Sequence, residues 1–458
     1  MKFLKKTFAY ILPAMMVLGG ATACTDFIEI DPENKVPEQG VDFTNKNNMY
    51  QPVVGAYSKV RTQGMHWCNA LLMFTRDGDV WSGRTDDQGD AVAFGRKFNY
   101  NNSFWALNQV WMNFYDIIRI TNAALQSLDG YAEYLAAGSE DYKTYESYCG
   151  EVRTIRAWAY YCLVTNFGPT VIYRDNLQTD FRRSTVEAVY NYMLEDLNYA
   201  IDKLPRMRPN QMEHKGAVTA FTAQALAARI YLLKGDYAQV ETLTDDIIKN
   251  GGFRLYDDFY QLFKIPGKLC DESLFECQVT DYGNGSGDYL GVDQWFNFQG
   301  PNMAERYDEV VNADGTISYK QAEGTKSIGG WNFIGYEPEF VAWAEARGEG
   351  VRAETSFLKA LSKTREGWQV GPTSATKTDC WNGKGYLPYN QMTLPRTTYG
   401  ANNNVRIIRY AEVLLNYAEA KAELGEMDAA VWDQTIAPLR NRAGVTSVIP
   451  AKGAGVQA

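Results

Sequence analysis

Ala225-Leu-Ala-Ala-Arg-Ile-Tyr-Leu-Leu-Lys-Gly-Asp-Tyr237 and Arg409-Tyr-Ala-Glu-Val-Leu-Leu-Asn-Tyr-Ala-Glu-Ala-Lys-Ala-Glu-Leu-Gly425 decide the fold. Ala228, Gly235, Tyr237 and Val240 are matched 190 residues later by Ala418, Gly425, Met427 and Ala430. A small residue, a Gly seven on, a bulky residue and then a small or branched one is the spacing of a helix-turn-helix tetratricopeptide unit. The small residue lets paired helices approach, and the Gly permits the turn. Ile408, Ala411, Leu415, Ala418 and Ala422 give the second copy its buried stripe.

Helical periodicity extends outward from these copies. Tyr50, Val53, Tyr57 and Val60 recur at three- and four-residue steps, and Phe104 to Leu128 continues with Leu107, Val110, Trp111, Phe114 and Ile117. Val152, Ile155, Ala159 and Cys162 mark a helix ending before Gly168-Pro169. Val189, Met193, Leu197, Ala200 and Leu204 mark another, stopped by Pro205. Helices are also expected over 216–234 and 236–250, closed by Gly251-Gly252. Between 265 and 404 the periodicity fails. Gly283, Gly285, Gly287, Gly291 and Gly300 punctuate a polar, aromatic run. The expected architecture is all-α: a tetratricopeptide-like scaffold over 45–264 and 405–444, carrying a loop-rich excursion over 265–404 with short strands.

The amino terminus reads as an export signal. Lys2, Lys5 and Lys6 precede an uncharged, mostly apolar stretch from Thr7 to Ala23 that ends in Ala21-Thr22-Ala23. That ending would suit cleavage to a free secreted protein. Cys24 at the first mature position, followed by polar and acidic residues, favours a lipoprotein whose acyl chains are its only membrane contact. The mature domain is then 24–458. Removing residues 1–23 deletes three lysines and no acid, taking the net charge from −10 to about −13. No basic field exists to hold phosphates, so nucleic acid is excluded as a partner.

Seven cysteines and two histidines, with no CxxC pair and no metal-ligand spacing, argue against a zinc site. The cysteines other than Cys24 read as small core residues, and no cofactor is implied. Asp77-Gly-Asp79 and Asp86-Asp87 read as solvated acidic loops. Together with Asp90 they lack the spacing of an EF-hand calcium loop. No nucleophile motif accompanies either histidine, so no catalytic residue is assigned.

Binding chemistry remains. A sugar ring offers a C–H face that packs on an aromatic face, and a hydroxyl rim that needs amides, carboxylates or a guanidinium. Two loop regions have that composition: Arg76-Asp-Gly-Asp-Val-Trp-Ser-Gly-Arg-Thr-Asp-Asp87, and Tyr289 to Trp295 with Gly329-Gly-Trp331-Asn332. The candidate ligand residues are Trp81, Arg84, Asp86, Tyr289, Trp295 and Trp331, with Trp368 and Trp381 behind them. Aromatics on periodic segments, such as Trp111, Phe114, Trp158, Tyr161, Tyr231 and Tyr417, read as core.

In order along the chain, these segments resemble the SusD/RagB family of outer-membrane lipoproteins. The opening Cys24-Thr-Asp-Phe-Ile-Glu-Ile-Asp-Pro32 and the helix Arg153-Thr-Ile-Arg-Ala-Trp-Ala-Tyr-Tyr-Cys-Leu-Val-Thr-Asn-Phe-Gly168 carry the resemblance first. Asp196-Leu-Asn-Tyr-Ala-Ile-Asp-Lys-Leu-Pro205, the two opening stretches and Arg440-Asn-Arg-Ala-Gly444 complete it. It departs at Phe167-Gly-Pro-Thr-Val-Ile172, a shorter turn than is usual, and at Gly350, where an Asp is common. The chain also stops at Ala458, where members usually continue through a further basic, helical ending, so it looks C-terminally incomplete. The resemblance implies capture of glycan or oligosaccharide and its hand-over to a SusC-like TonB-dependent transporter, with ligand contacts in these loop regions. Peptide capture within the same family, a surface glycoside hydrolase and a non-functional scaffold are the alternatives. Two carboxylates facing each other across an aromatic cleft would favour the hydrolase; an open aromatic platform would favour the receptor.

Overall fold

The computed structural model describes residues 40–74, 76, 78–82, 104–279, 298–372, 379–391 and 403–445. The chain divides into two compact units, Met1–Asn48 and Met49–Ala458. In the first, Asp42 accepts from the Thr44 amide at 3.0 Å and hydroxyl at 2.6 Å, leading into a 3-10 turn at Lys46–Asn48.

In the second unit α1 (Gln51–Lys59) runs into a π-helical turn, Val60–Gly64, and then α2 (Trp67–Phe74). Gly64 is needed there because a Cβ would lie 2.6 Å from the ring of buried Trp158. Five longer helices follow: α3 (Trp105–Ala132), α4 (Glu140–Phe167), α5 (Val186–Lys203), α6 (Ala220–Lys234) and α7 (Tyr237–Asn250). The starts of α4 to α7 are set by side-chain caps. Ser139, Thr185, Thr219 and Asp236 each accept an amide of the first turn. Gly168 and Gly235 end α4 and α6 at φ 70° and 71°, where a side chain would be strained.

Each of these helices packs on the next, and α7 in turn packs on α10 (Tyr410–Glu423). The matched copies meet in the core: Ala228 of α6, Val240 of α7 and Ala420 of α10 form one buried cluster, with Tyr231, Leu232, Tyr237 and Leu243 around it. The second copy departs from the first after Gly425. Its second helix is only α11 (Ala429–Gln434), followed separately by α12 (Ile436–Ala443). Pro438 lacks the N–H that a continuous helix would donate to Gln434, so the helix breaks at Thr435.

Buried polar links fasten the helices. Arg156 on α4 grips Asp196 on α5 with two bonds of 2.8 Å, and its third nitrogen donates to Asn122 on α3 at 2.7 Å. Glu151, also on α4, accepts from the Tyr57 hydroxyl at 2.7 Å and from Tyr50 at 3.3 Å. The Tyr57 oxygen in turn accepts the Val218 amide at 2.9 Å. The six cysteines after Cys24 are all unpaired, and all but Cys270 are buried.

The excursion holds most of the strands. β2 (Ser273–Cys277) pairs with β11 (Val405–Arg409). A three-stranded sheet orders β6 (Ser327–Ile328), β3 (Met303–Ala304) and β9 (Gln369–Val370). β4 (Tyr307–Val311) and β5 (Ile317–Gln321) form an exposed hairpin. A four-stranded sheet orders β1 (Val80–Ser82), β7 (Ile334–Tyr336), β10 (Cys380–Asn382) and β8 (Phe357–Lys359). Its first strand comes from the amino-terminal half, outside the expected strand region. Two further helices, α8 (Pro338–Ala346) and α9 (Gly350–Ser356), lie within the excursion. Among the described residues no helix is long and apolar enough to cross a membrane.

Burial pushes the Glu151 carboxyl up to about 7, although the Tyr57 and Tyr50 hydroxyls oppose the shift. The native state then binds this proton more tightly than the unfolded chain. Its contribution is complete below the ordinary carboxylate value and is lost as pH rises through about 7. Glu151→Gln, which keeps an acceptor for Tyr57, is expected to match the parent near pH 4. It should exceed the parent at pH 8 by about 3–4 kcal/mol, taking roughly 1.4 kcal/mol for each pH unit between 4.5 and about 7. Urea unfolding at both pH values checks this, and equal stability at pH 8 would show that Glu151 is charged in the fold at no cost.

Candidate aromatic binding site

Gly330 begins the site. A Cβ at this position would stand 2.0 Å from the Gly300 carbonyl oxygen, so only glycine allows 330–333 to lie against 298–302. Three bonds lace the segments together. The Gly330 amide donates to Asn302 Oδ1 at 3.0 Å, the Asn332 amide to the Gly300 carbonyl at 3.1 Å and the Phe333 amide to the Phe298 carbonyl at 3.0 Å. Asn332 takes a left-handed backbone, φ 59°. Its side chain is buried, and among the described residues Oδ1 has no hydrogen-bond partner.

Five rings assemble on this scaffold. Phe298 and Phe333 stack at 4.8 Å, and Trp331 stands edge-on to Phe333 at 6.3 Å and to Trp67 at 6.2 Å. Trp67 packs on Phe298 at 5.2 Å and meets Trp105 edge-on at 5.5 Å. The cluster grades from buried Phe298, through half-buried Trp67 and Trp331, to Trp105, which is 53% exposed.

A relay of amides holds its two helices in place. Gln109 donates to Asn113 at 2.8 Å, Asn113 to Asn69 at 3.4 Å, and Asn69 to the carbonyls of Gln63 and Gly64 at 2.8 and 2.7 Å. The first turn of α3, with Trp105, is thereby tied to the start of α2, with Trp67. His66 stacks on Trp67 at 5.8 Å, and burial lowers its pKa, so it is neutral near pH 7. Asn108 and Met112 follow Trp105 along the exposed face of α3. The arrangement offers aromatic faces and amides, the two requirements of a sugar's two surfaces, and no reacting group.

The expected site residues fare unequally. Trp331 and Asn332 belong to this cluster. Trp81 lies on strand β1 rather than in a loop, with its Cα opposite Gly335 of β7, which is itself opposite Trp381. Arg84, Asp86, Tyr289 and Trp295 lie outside the described residues, as do Asp77, Asp87 and Asp90. Trp368 and Trp381, at 9% and 1% exposure, are core residues, which corrects their reading as reserve ligand contacts. Trp67 and Trp105 were missed by sequence reasoning. The available signal was the solvent-facing series Trp105, Asn108 and Met112, spaced i, i+3, i+7.

A separate open cavity of about 570 Å³ is lined by Asp79, Glu337, Glu339, Phe340 and Trp343. The Glu337 amide donates to the Asp79 carbonyl at 2.9 Å, which joins the two backbones at one edge of this cavity. No group of three metal-ligating side chains occurs among the described residues.

Two family models match the chain. One, described as the SusD family, covers residues 292–453, and one described as "Starch-binding associating with outer membrane" covers residues 26–232. A SusD-like protein of Bacteroides ovatus is 24% identical over 345 residues, 69% of this chain; the chain spans only 55% of that relative's length. The structure of a laminarin-binding SusD-like protein superposes with a TM-score of 0.68 at 20% identity, covering 88% of this chain and 85% of the other. Surface glycan-binding protein A from Bacteroides thetaiotaomicron, solved with laminarihexaose, gives 0.65 at 21% identity over 89% and 85%. At these identities the structures establish a shared fold.

Asn332 provides a stability test of the site's design. Asn332→Gly removes both the left-handed strain and an unpaired buried acceptor, so its melting temperature should equal or exceed the parent's. Asn332→Ala keeps the strain without the amide's tolerance of it and should lose about 1 kcal/mol. A clear loss in the Gly variant, seen by thermal melts, would mean that the amide serves the fold instead of a ligand.

Proposed function

Because the chain belongs to the SusD family, we propose that it is a surface lipoprotein that captures glycan on the Trp67–Trp105–Trp331 cluster and passes it to a TonB-dependent transporter. The observation that carries this reading is exposed Trp105, fixed edge-on to Trp67 and through it to Trp331. Rings already held by packing and by the amide relay lose little freedom on binding, so stacking on a sugar is not offset by ordering. The family is described as associated with the outer membrane, and solved relatives are named for laminarin and glycan binding. Residues 83–103 join β1 to α3, and 280–297 run into Phe298. Arg84, Asp86, Tyr289 and Trp295 lie outside the described residues, and with Trp81 we keep them in the proposed site on the composition of their sequence alone. The stacked helix pairs α6–α7 and α10–α11 serve as a tetratricopeptide-type scaffold. Cys24 is the proposed lipid anchor. The mechanism is binding and release, with no bond broken.

Trp105→Ala and Trp331→Ala are each expected to weaken laminarihexaose binding by about 1–3 kcal/mol, the cost of losing a hot-spot aromatic. Trp381→Ala should instead lower the melting temperature, because that indole is core. Isothermal titration paired with thermal melts decides. Unchanged affinity in both site variants would remove the cluster from the ligand path.

Anchoring is tested independently. Cys24→Ala should move the protein from the membrane to the soluble fraction of fractionated cells, since acyl chains supply the only proposed bilayer contact. Retention equal to that of the parent would sink the lipoprotein assignment.

A further inference from the structure

A cavity of about 620 Å³ opens between α4, α6, β11 and the turn at 382–385. Its described lining holds four cations, Arg229, Lys384, Arg406 and Arg409, against one carboxylate, Glu412. In a chain of net charge −10 this is a local reversal of sign. Most of these charges are already used inside the protein. Arg229 takes Glu412, Arg409 bonds Glu272 at 2.7 Å, and Arg406 donates to Asn403, to the Asn404 carbonyl and to the Lys264 carbonyl.

Lys384 is the exception. Its ammonium lies over the rings of Phe263 and Phe259 at 5.1 and 5.7 Å, and among the described residues it has neither a carboxylate nor a carbonyl. Lys264 shows what this fold does with a structural amine: fully buried, it donates to the carbonyls of Gly383 and Tyr386 at 2.8 and 2.7 Å. Burial, with repulsion from Arg409, Arg352 and Arg442, pushes the half-buried Lys384 down to about 8. A cation left unpaired beside a cavity is an energetic cost that an incoming anion relieves. The same wall carries Asn416 and Tyr161, whose amide and hydroxyl make no hydrogen bond to the described protein, and apolar surface from Trp158 and Leu232.

We propose that this cavity binds the carboxylate of an acidic sugar, a hexuronate unit, with Lys384 as counter-ion and Asn416 and Tyr161 for its hydroxyls. A phosphate or sulfate alone would leave the aromatic wall and the two uncommitted polar groups unused, and the volume suits an organic ligand. The inference rests on the glycan-binding reading for the sugar and on Lys384 for the charge.

The test is isothermal titration of the full chain with trigalacturonate, with its methyl ester and with laminarihexaose. Trigalacturonate should bind about tenfold or more tightly than the ester, the value of a charged hydrogen bond. Lys384→Met should bring the acid down to the ester's affinity while leaving laminarihexaose unaffected and the melting temperature undiminished. Should Lys384→Met fold poorly, Lys384→Gln or Asn416→Ala with Tyr161→Phe gives the same comparison. Equal binding of acid and ester, or an acid affinity indifferent to Lys384, overturns the proposal. Binding of N-acetyl-triglycine but not trigalacturonate, lost in Lys384→Met, overturns the sugar assignment in favour of a peptide carboxylate. Laminarihexaose binding without any for trigalacturonate sinks this inference alone, and absence of both sinks the glycan reading with it.

Discussion

The pairing of two buried acids on one strand with arginines on its neighbour is the constraint on which the rest of the structure depends. Glu272 and Glu276 bracket β2, and both are buried. Glu272 accepts from Arg409 and from the Tyr256 amide, each at 2.7 Å, and from Arg442 of α12. Glu276 faces Arg406 across the pair at 3.7 Å and accepts from Asn404 at 2.7 Å and the Leu269 amide at 3.1 Å. Buried carboxylates of this kind depend on nearby cations and donors, and removing one partner typically costs about 3–5 kcal/mol. The match cannot form unless residues 272–277 and 405–409 lie side by side, and so both ends of the long excursion are fixed to each other. The last strand of the excursion then leads straight into α10, whose first amide donates to the Glu272 carbonyl at 2.8 Å.

With its ends pinned, the excursion can be irregular between them and still place rings accurately. The 298–302 and 330–333 segments are held to each other by three hydrogen bonds and by a contact that only Gly330 permits. Their rings reach Trp67, and through it Trp105, both of which belong to the helical scaffold. The site is therefore a seam between a regular part and an irregular one. Rigid helices supply exposure and position, while the irregular backbone supplies the left-handed Asn332 and the close approach that a helix cannot offer.

This division also explains what could be read in the residues. Helices α3 to α7 and α10 were legible because their apolar residues recur every three to four positions, and α4 to α7 also start at Ser, Thr or Asp caps. In α10 the expected stripe erred at Leu415, which is exposed. Strands were not. They run two to five residues, and β2, with all five residues buried, has no alternation to detect. Trp368 and Trp381 sit in Gly-rich sequence and so read as loop contacts. Pairing of β10 with β7 and β8, a tertiary event, buries Trp381. Trp105 failed in the opposite sense: placing helical aromatics in the core holds for Phe114 and Trp158 but not for the first turn of α3, which faces water. Gly350, the departure from the family's usual Asp, has a local cause. Its φ is 53°, and a Cβ would lie 2.3 Å from the Gly444 carbonyl oxygen, so α9 and the end of α12 touch here backbone to backbone.

If the chain works by the capture and hand-over proposed above, that exchange would limit how strong such a site should be. A deep, enclosed pocket would bind a sugar chain tightly and release it slowly, because affinity among related complexes is expressed mainly in the off-rate. An edge-linked row of rings with one open tryptophan offers contact area without enclosure. On the proposed reading a sugar would gain stacking while its hydroxyl rim stayed largely solvated. The rings are held by Phe298, by Phe333 and by the amide relay, so release would need no rearrangement of the cluster itself. Rigidity of this cluster would serve the proposed exchange by lowering the ordering cost of binding.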